Sequence, residues 1–291
     1  MPTTDPAARS REERELAGLD TLELPIRATP PLALRVWGAL WPQLTAVGIF
    51  LVLWQVIVAL ELRPPWVLPG PLDVFPRLID DLGGNLPSAI ATTMRRAVLG
   101  YGLALAIGVA LGLAIVRWRL LRTAVASLIT GLQTMPSIAW FPFAILLFGL
   151  SEAAIMFVIV LGAAPSVANG LISGFDHIPR ILLRVGRMLG ARGINRYRFV
   201  VLPAALPSFV GGMKQAWAFA WRSLMAGELL VIIAQQPALG VQLQLQRELS
   251  DAEGLLATMI VVLVIGIVVD QLVFGTLERR IRARRGLVEA A

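Results

Sequence analysis

Apolar residues are concentrated in six long runs, separated by shorter segments rich in charged residues, proline and glycine. The runs cover residues 41–60, 97–116, 123–147, 153–172, 203–233 and 255–274. An α-helix needs about 20 apolar residues to cross about 30 Å of hydrocarbon, and each run is about that long or longer. The pattern predicts an all-α integral membrane protein with about six transmembrane helices.

The segments between these runs divide the chain into regions. Residues 1–40 combine charges of both signs with prolines and lack the apolar stretch of a signal peptide, so we expect a mobile cytosolic tail. Residues 41–85 comprise the first span and a proline-rich external connection. Residues 86–278 form the transmembrane domain, with a cytosolic loop at 174–203, and residues 279–291 form a basic cytosolic tail.

The third run is interrupted by Pro136 and Pro142, with Gln133 close by. Proline lacks the backbone N–H of a helical residue and breaks or kinks a helix. Inside a membrane such a break is tolerated where the backbone is buried in protein or lines a cavity. We therefore expect a broken helix here, and Pro136 and Trp140 are candidates for lining a translocation pathway.

Arginine is distributed unevenly among the connections. Of the 25 arginines, nineteen fall in residues 1–40, 117–122, 174–202 and 275–291, and five fall in the alternate segments. Basic residues near the ends of spans accumulate on the cytosolic side. The distribution predicts that both termini are cytosolic in a multi-pass protein of the cell (inner or plasma) membrane. It also explains the net charge of +7 without a nucleic-acid-binding surface.

Composition excludes several kinds of chemistry. Hydrophobic residues make up 57% of the chain and charged residues 15%, with a mean hydropathy of +0.74. There is no cysteine and a single histidine, His177, so neither a thiol nucleophile nor a Cys- or His-rich metal site is expected. The one lysine, Lys214, lies in GGMKQAW, which lacks the glycine pattern of a P-loop. We therefore expect no catalytic residue, no metal and no ATP site in this chain.

Residues 180–191 have the pattern of a basic amphipathic helix. A helical repeat places basic side chains on one side and apolar side chains on the other: Arg180, Arg184 and Arg187 against Leu182, Val185 and Leu189. Gly193 is expected to end this helix, and Asn195 to cap the next one. On composition alone, the segment is typical of a cytosolic loop whose arginines meet lipid headgroups.

The spacing of this loop resembles the permease subunits of bacterial ABC importers. Their cytosolic loop has the pattern EAA, three residues, Gly, nine residues, Ile, one residue, Leu-Pro. The glycine position falls on Gly190, the isoleucine position on Val200, and the Leu-Pro on Leu202 and Pro203. The triplet falls on Arg184, Val185 and Gly186, so an arginine replaces the glutamate that usually pairs with the ATPase.

The resemblance extends over residues 60–278 and is closest to the sulfonate, nitrate and taurine permeases. PPWVLPGPLDVF at 64–75, MPSIAWFPFAILLFG at 135–149 and the AW and Glu-Leu-Leu of 220–230 support it. It implies a type I (MetI-like) fold, transport of a small anion, and a loop that docks on the ATPase. The loop residues implied are Arg180, Arg184, Val185, Gly186, Arg187, Leu189, Gly190, Ala191, Val200, Leu202 and Pro203.

The resemblance also implies partners. They are two ABC ATPase subunits, an extracytoplasmic solute-binding protein, and a second permease copy or a close relative of this chain, all organised about the lipid bilayer. ATP would be used by the partner subunits, and no cofactor would be bound directly by this chain.

Charged residues inside the fifth run are the remaining candidates. A charge at the centre of a membrane helix costs about 2.5 to 3.5 kcal/mol, so it usually faces protein or water. Lys214, Trp217, Trp221 and Glu228 share one helical stripe, and Arg222 points away from it. Arg222 or Lys214 would attract an oxyanion, or these charges would pair helices, with Glu228 neutralising a neighbour.

Other functions remain open at this point. A membrane enzyme would need clustered catalytic groups. A secondary carrier would be expected to show paired broken helices, whereas one run is clearly interrupted here. A permease for a neutral solute, such as a vitamin precursor, is a further alternative.

Overall fold

The computed structural model describes residues 32–283. Residues 1–31 of the predicted N-terminal tail and residues 284–291 of the predicted basic tail lie outside the described part. Within it, the regular elements are helical, and the prediction of an all-α fold is confirmed. The α-helices are α1 (Leu32–Ala59), α2 (Pro71–Leu82), α3 (Leu86–Arg117), α4 (Arg119–Thr134), α5 (Phe141–Phe148), α6 (Glu152–Asp176), α7 (Arg180–Met188), α8 (Gly193–Arg196), α9 (Leu202–Leu230), α10 (Leu239–Glu248), α11 (Ala252–Val269) and α12 (Thr276–Ala283).

Three further elements have other helical geometries. A 3-10 turn covers Ser137–Trp140, and two π-helical segments cover Tyr197–Val201 and Asp270–Gly275. Each π segment runs directly into an α-helix, α9 and α12 respectively. Widened turns of this kind are frequent at functional sites.

Four helices in the described part are long and apolar enough to cross a membrane, and a bent pair makes a fifth candidate. The four are Trp41–Ala59, Leu86–Arg117, Glu152–Asp176 and Ala252–Ile281. Helix α9, the predicted fifth span, has 29 residues and a length of about 43 Å. It carries three charged residues and is not among the four.

Helix α1 forms a unit of its own. It begins at Leu32, earlier than the predicted tail boundary at residue 40. Its apolar part, Trp41–Ala59, agrees with the first predicted span. The side chains described along this part are mostly exposed, as expected for a helix that faces lipid.

The centre of the main unit is α6, which packs along α3 on one side and α9 on the other. Glycines allow the backbones to approach closely. A Cβ atom on Gly170 of α6 would lie 2.5 Å from the Cα atom of Gly212 in α9, and one on Gly108 of α3 would lie 2.6 Å from the Ala164 carbonyl oxygen. Small residues at such crossings are typical of membrane helices, whose association depends on close van der Waals packing.

The predicted break in the third span is present. Helix α4 ends at Thr134, and the segments Ser127–Thr134 and Ser137–Phe148 differ in direction by 98°. Pro136 lies between them and precedes the 3-10 turn. The turn packs against both α6 and α9, while Pro136 and Ile138 are exposed on this subunit.

Two boundaries differ from the prediction. Helix α3 begins at Leu86 rather than near Ala97, because Pro87 suits a first helical turn and the charge of Arg96 is neutralised inside the bundle. The polar connection between the last two spans contains α10, a helix that the sequence did not predict because its apolar pattern is weak.

A contact also joins α2 to the start of α11. Arg77 of α2 forms an ion pair with Asp251, which caps the first turn of α11.

Candidate functional site: basic loop and intramembrane charges

The basic loop contains a helix, as predicted, and α7 occupies Arg180–Met188. The side chains of Arg180, Arg184 and Arg187 are all exposed. Leu182 and Val185 lie on the opposite side and border a shallow apolar groove of about 320 Å³, which the start of α9 closes. The loop therefore presents its guanidinium groups to solvent and turns part of its apolar face toward the bundle.

Gly190 ends α7 in the left-handed region, with a φ of +79°. Its N–H donates to the Arg187 carbonyl oxygen at 3.1 Å, and the N–H of Ala191 donates to the Gly186 carbonyl oxygen at 2.9 Å. These two bonds form a Schellman motif. The assignment of this role to Gly193 was wrong, because Gly193 is the first residue of α8.

Asn195 was also misassigned. It lies inside α8, and Arg192 occupies the N-cap position without a side-chain hydrogen bond. Because α8 has four residues and runs into the π segment, the chain continues as one irregular helical stretch into α9. Pro203 falls in the first turn of α9, as predicted.

The far end of the loop exposes large apolar side chains. The exposed fractions are 85% for Met188, 81% for Leu189 and 83% for Ile194. Tyr197 and Phe199 are more than half exposed, and the Arg198 guanidinium lies over the Phe199 ring at 5.6 Å. An exposed apolar group of this kind, rimmed by arginines, is typical of a surface that binds another protein.

One ion pair ties the start of this loop to α4, and a local contact follows it. Arg122 in α4 forms an ion pair with Asp176, the last residue of α6. His177 follows, and its Nδ1 atom lies 2.9 Å from the carbonyl oxygen of Ser173. His177 therefore makes a local contact at the point where the chain leaves α6 for α7.

Lys214 forms an ion pair that sequence analysis did not foresee. Its Nζ atom lies 3.1 Å from Oδ2 of Asp270, in the second π segment. Both side chains are about 40% exposed on this subunit. The one carboxylate inside the sixth apolar run was the signal that could have identified the partner.

Arg96 and Glu228 form a buried ion pair between α3 and α9. The side chains are 1% and 0% exposed, and Nη1 of Arg96 lies 3.0 Å from Oε1 of Glu228. The Nε and Nη2 atoms of Arg96 donate to Oε1 of Glu152 at 3.1 and 2.9 Å, and Nη2 also donates to Oε1 of Gln236 at 2.7 Å. All three guanidinium nitrogens are thus hydrogen-bonded, which a buried charge requires.

The carboxylate of Glu228 also fixes the N-terminus of α10. The hydroxyl of Thr93 donates to Oε2 of Glu228 at 2.9 Å and accepts a bond from the N–H of Leu239 at 3.0 Å. The N–H of Gly240 donates to Oε2 of Glu228 at 3.1 Å. Two otherwise unpaired helix N–H groups are satisfied, and the negative charge lies at the positive end of the helix dipole.

The predicted stripe along α9 therefore does not form one surface. Trp217 is 7% exposed and packs edge-on against Tyr101 at 5.4 Å and nearly parallel to Trp221 at 6.1 Å. Glu228 is fully enclosed, whereas Trp221 is partly exposed and Lys214 is held by Asp270. The alternative that Glu228 neutralises a neighbour describes this arrangement, with Arg96 as the neighbour.

Arg222 differs from the other two charges of α9. It is exposed, and its guanidinium carbon lies 5.7 Å from the centre of the Phe219 ring. Among residues 32–283, no carboxylate lies within ion-pair distance of it. Pro136 is exposed at the break in the third span, while Trp140 is half-buried and packs edge-on against Phe143. In that same range, no group of acidic, histidine or cysteine side chains is arranged to hold a metal ion.

Sequence comparison identifies relatives over most of the chain. Residues 102–283 match the model of a family described as the binding-protein-dependent transport system inner membrane component. A putative ABC transporter permease protein of Methanocaldococcus jannaschii is 30% identical over 225 residues, which are 76% of this chain and 83% of that protein. The taurine transport system permease protein TauC of Escherichia coli is 26% identical, over 83% of this chain and 89% of its own length.

A third relative and a solved structure extend these similarities. The nitrate import permease protein NrtB of Synechococcus elongatus is 28% identical, over 65% of this chain and 71% of its own length. An inward-facing structure of the MetNI methionine ABC transporter has the same fold, with a TM-score of 0.57 and 18% identity, covering 67% of this chain and 95% of that one. This chain belongs to the family of binding-protein-dependent transport system inner membrane components, the permease subunits of ABC importers, and has their type I fold.

Proposed function

We propose that this chain is the transmembrane permease of an ATP-driven importer for a small anion, such as an aliphatic sulfonate, taurine or nitrate. Relatives named for taurine, aliphatic sulfonates and nitrate support this class of solute. The subunit couples ATPase subunits to alternating access across the membrane. It contributes the pathway, and the ATPase subunits bind and hydrolyse the nucleotide.

The exposed apolar end of the basic loop carries the coupling part of the proposal. Met188, Leu189 and Ile194 would have to remain in water unless another protein covered them. Asp176 ties the start of the loop to α4, and Gly186 of α7 packs against Val200 in the π segment that leads into α9. A force applied to α7 by an ATPase subunit would therefore reach α4, α6 and α9.

The assembly contains two copies of this chain, two ATPase subunits and an external solute-binding protein. The concentration of arginine in the loop and at the C-terminal end supports an orientation with both termini in the cytosol. The loop residues proposed to contact or position the ATPase are Arg180, Arg184, Val185, Gly186, Arg187, Leu189, Gly190, Ala191, Val200, Leu202 and Pro203.

The proposed pathway follows the open side of α9 and the break in the third span. Arg222 is exposed and without a carboxylate partner in the described residues, so it is the cation that attracts the anion. Pro136, Trp140, Lys214 and Trp221 complete the pathway. Trp217 and Glu228 stabilise the bundle instead, because both are enclosed within the subunit.

Reconstitution of the complete transporter tests this function. The permease, the ATPase subunits and the binding protein encoded with them are incorporated into proteoliposomes with ATP inside. Uptake of the anions methanesulfonate and nitrate, of zwitterionic taurine and of the neutral thiamine precursor hydroxymethylpyrimidine is then measured. Anion uptake that requires both ATP and binding protein supports the proposal, whereas uptake of the neutral solute alone, or uptake without the ATPase, contradicts it.

A further inference from the structure

Ser223, in the C-terminal half of α9, has a buried hydroxyl group without a partner. Its side chain is 0% exposed, and its Oγ atom makes no hydrogen bond. A buried hydroxyl normally finds a partner, because removing it from water without one is unfavourable. In this conformation of the subunit, the Ser223 hydroxyl therefore lacks a hydrogen-bond partner.

Trp140, on the 3-10 turn of the broken span, has a second unpartnered group. Its Nε1 atom is buried and makes no hydrogen bond. A 3-10 helix has three residues per turn, so Ser137 and Trp140 lie on the same face of this turn. The indole N–H is a donor and cannot accept a hydrogen bond.

Gly162 of α6 brings the two elements together. A Cβ atom on Gly162 would lie 2.9 Å from Oγ of Ser223 and 3.6 Å from Cβ of Ser137. The hydroxyl of Ser223 therefore points at the backbone of Gly162, which has no side chain. The face of the 3-10 turn that carries Ser137 and Trp140 lies beside this position. Three elements, from α6, α9 and the broken span, converge on this point.

The site itself contains hydrogen-bond donors. The acidic residues of α6 and α9, Glu152, Asp176 and Glu228, each form an ion pair with an arginine. Apolar residues of the main core surround the site, including Phe141, Ala220 and Leu224. Donor groups in a dry environment whose carboxylates are already paired suit an oxyanion and disfavour a cation.

We propose that Ser223 and Trp140, on the floor formed by Gly162, are a transient subsite for the oxyanion group of the transported solute. The Ser223 O–H and the Trp140 N–H donate to oxygens of a sulfonate or nitrate when the 3-10 turn separates from α9. The subsite is closed in the present conformation and is distinct from Arg222, which is exposed. This inference rests on the proposed function, because it assumes that an anion crosses the subunit.

The test compares Ser223→Ala and Trp140→Phe, which remove one donor each. Ser223→Ala keeps the shape nearly unchanged, and Trp140→Phe also removes one ring of the indole. Thr258→Val is the matched control, because Thr258 of α11 also has a buried, unpartnered hydroxyl. Each complex is reconstituted with its binding protein, and uptake of methanesulfonate and nitrate is measured together with ATP hydrolysis. We expect uptake per ATP to fall roughly ten-fold in the two variants, as for loss of a hydrogen bond to a charged group, and to be unchanged in Thr258→Val.

Gly162→Ala provides a second, independent variant, since its added methyl group would occupy the proposed position of the anion. It should lower uptake per ATP at least as much as Ser223→Ala while binding protein still stimulates hydrolysis. Unchanged uptake per ATP in Ser223→Ala and Trp140→Phe would overturn the subsite, and so would an equal loss in Thr258→Val. If the wild-type complex imports a neutral solute and no anion, the proposed function itself fails.

Discussion

Gly186 packs directly against Val200, across the turn that links α7 to α9. A Cβ atom on Gly186 would lie 2.7 Å from Cγ2 of Val200. These residues occupy the third position of the triplet and the isoleucine position of the loop pattern. The spacing of the pattern thus has a physical basis, since a small residue and a β-branched residue form the contact between α7 and the π segment that leads into α9.

Gly186→Ala should impair coupling through this contact. Its methyl group would push α7 away from the π segment, and we expect reduced uptake and reduced stimulation of ATP hydrolysis by the binding protein. Val200→Ala removes both γ-carbons and leaves Cβ at 3.6 Å from the new methyl group, an ordinary distance. The double variant Gly186→Ala/Val200→Ala should therefore recover much of the activity; a double variant as weak as the single one would show that steric contact is not the cause.

Substitutions of Gly190 should act through backbone conformation and not through steric contact. Its φ is +79°, and no atom lies within 4 Å of the position of an added Cβ. A β-branched residue is strained in this region, by about 1 to 2 kcal/mol, whereas asparagine tolerates it. We expect Gly190→Val to reduce uptake and Gly190→Asn to remain close to wild type; equal activity of the two variants would contradict this explanation.

The long apolar runs and the proline break were predictable because each depends on local properties of the chain. Length and hydrophobicity give the spans, and the missing N–H of Pro136 gives the break. The glycine that ends α7 was predicted three residues too late, because Gly190 and Gly193 both have positive φ values and the sequence does not distinguish them. Hydrogen bonds from Gly190 and Ala191 back into α7 decide between the two glycines.

The polar partners could not be predicted, because they depend on contacts between segments far apart in the chain. Arg96 counted as one of the external arginines, although it is 1% exposed and lies opposite Glu228. For Lys214 the sequence leaves both oxyanion attraction and helix pairing open, and Asp270 is its partner in the structure. Conversely, the exposure of Arg222 follows from the packing of α9 against α6, which turns one side of the helix inward and leaves Arg222 on the other.

Arg96→Ala should destabilise the permease strongly, because it leaves the Glu228 carboxylate buried without its cation. Removing one member of a buried ion pair typically costs about 3 to 5 kcal/mol. Arg95→Ala is a matched control on the neighbouring residue, since Arg95 is 61% exposed and lies 3.6 Å from Glu152, and such pairs contribute about 1 kcal/mol or less. Thermal unfolding in detergent, followed by size-exclusion chromatography, should show a large loss for Arg96→Ala and a small one for Arg95→Ala; similar melting of both would refute the role of burial.

Reversal of the charge at Asp176 should uncouple the loop from α4. Asp176→Arg places a second cation beside Arg122, and we expect less uptake per ATP hydrolysed. Both side chains are partly exposed, so the effect on stability should be small, about 1 kcal/mol or less. The exchange Arg122→Asp/Asp176→Arg restores the pair and should restore the ratio of uptake to hydrolysis; failure of the exchange, with both complexes intact, would assign no coupling role to the pair.

Arg222→Gln and Lys214→Gln separate transport from assembly within one helix. Lys214→Gln leaves Asp270 without a partner inside a membrane-spanning segment, so the yield of assembled permease should fall. Arg222→Gln leaves no unpaired carboxylate in the described part of the chain, and assembly should be retained. If Arg222 attracts the anion, nitrate and methanesulfonate uptake should fall about ten-fold or more in that variant, as expected for loss of a charge-assisted hydrogen bond. Comparison of purified complex yield with uptake in proteoliposomes measures both effects. A low yield for Arg222→Gln would indicate that it pairs helices instead, and unchanged anion uptake would remove Arg222 from the pathway.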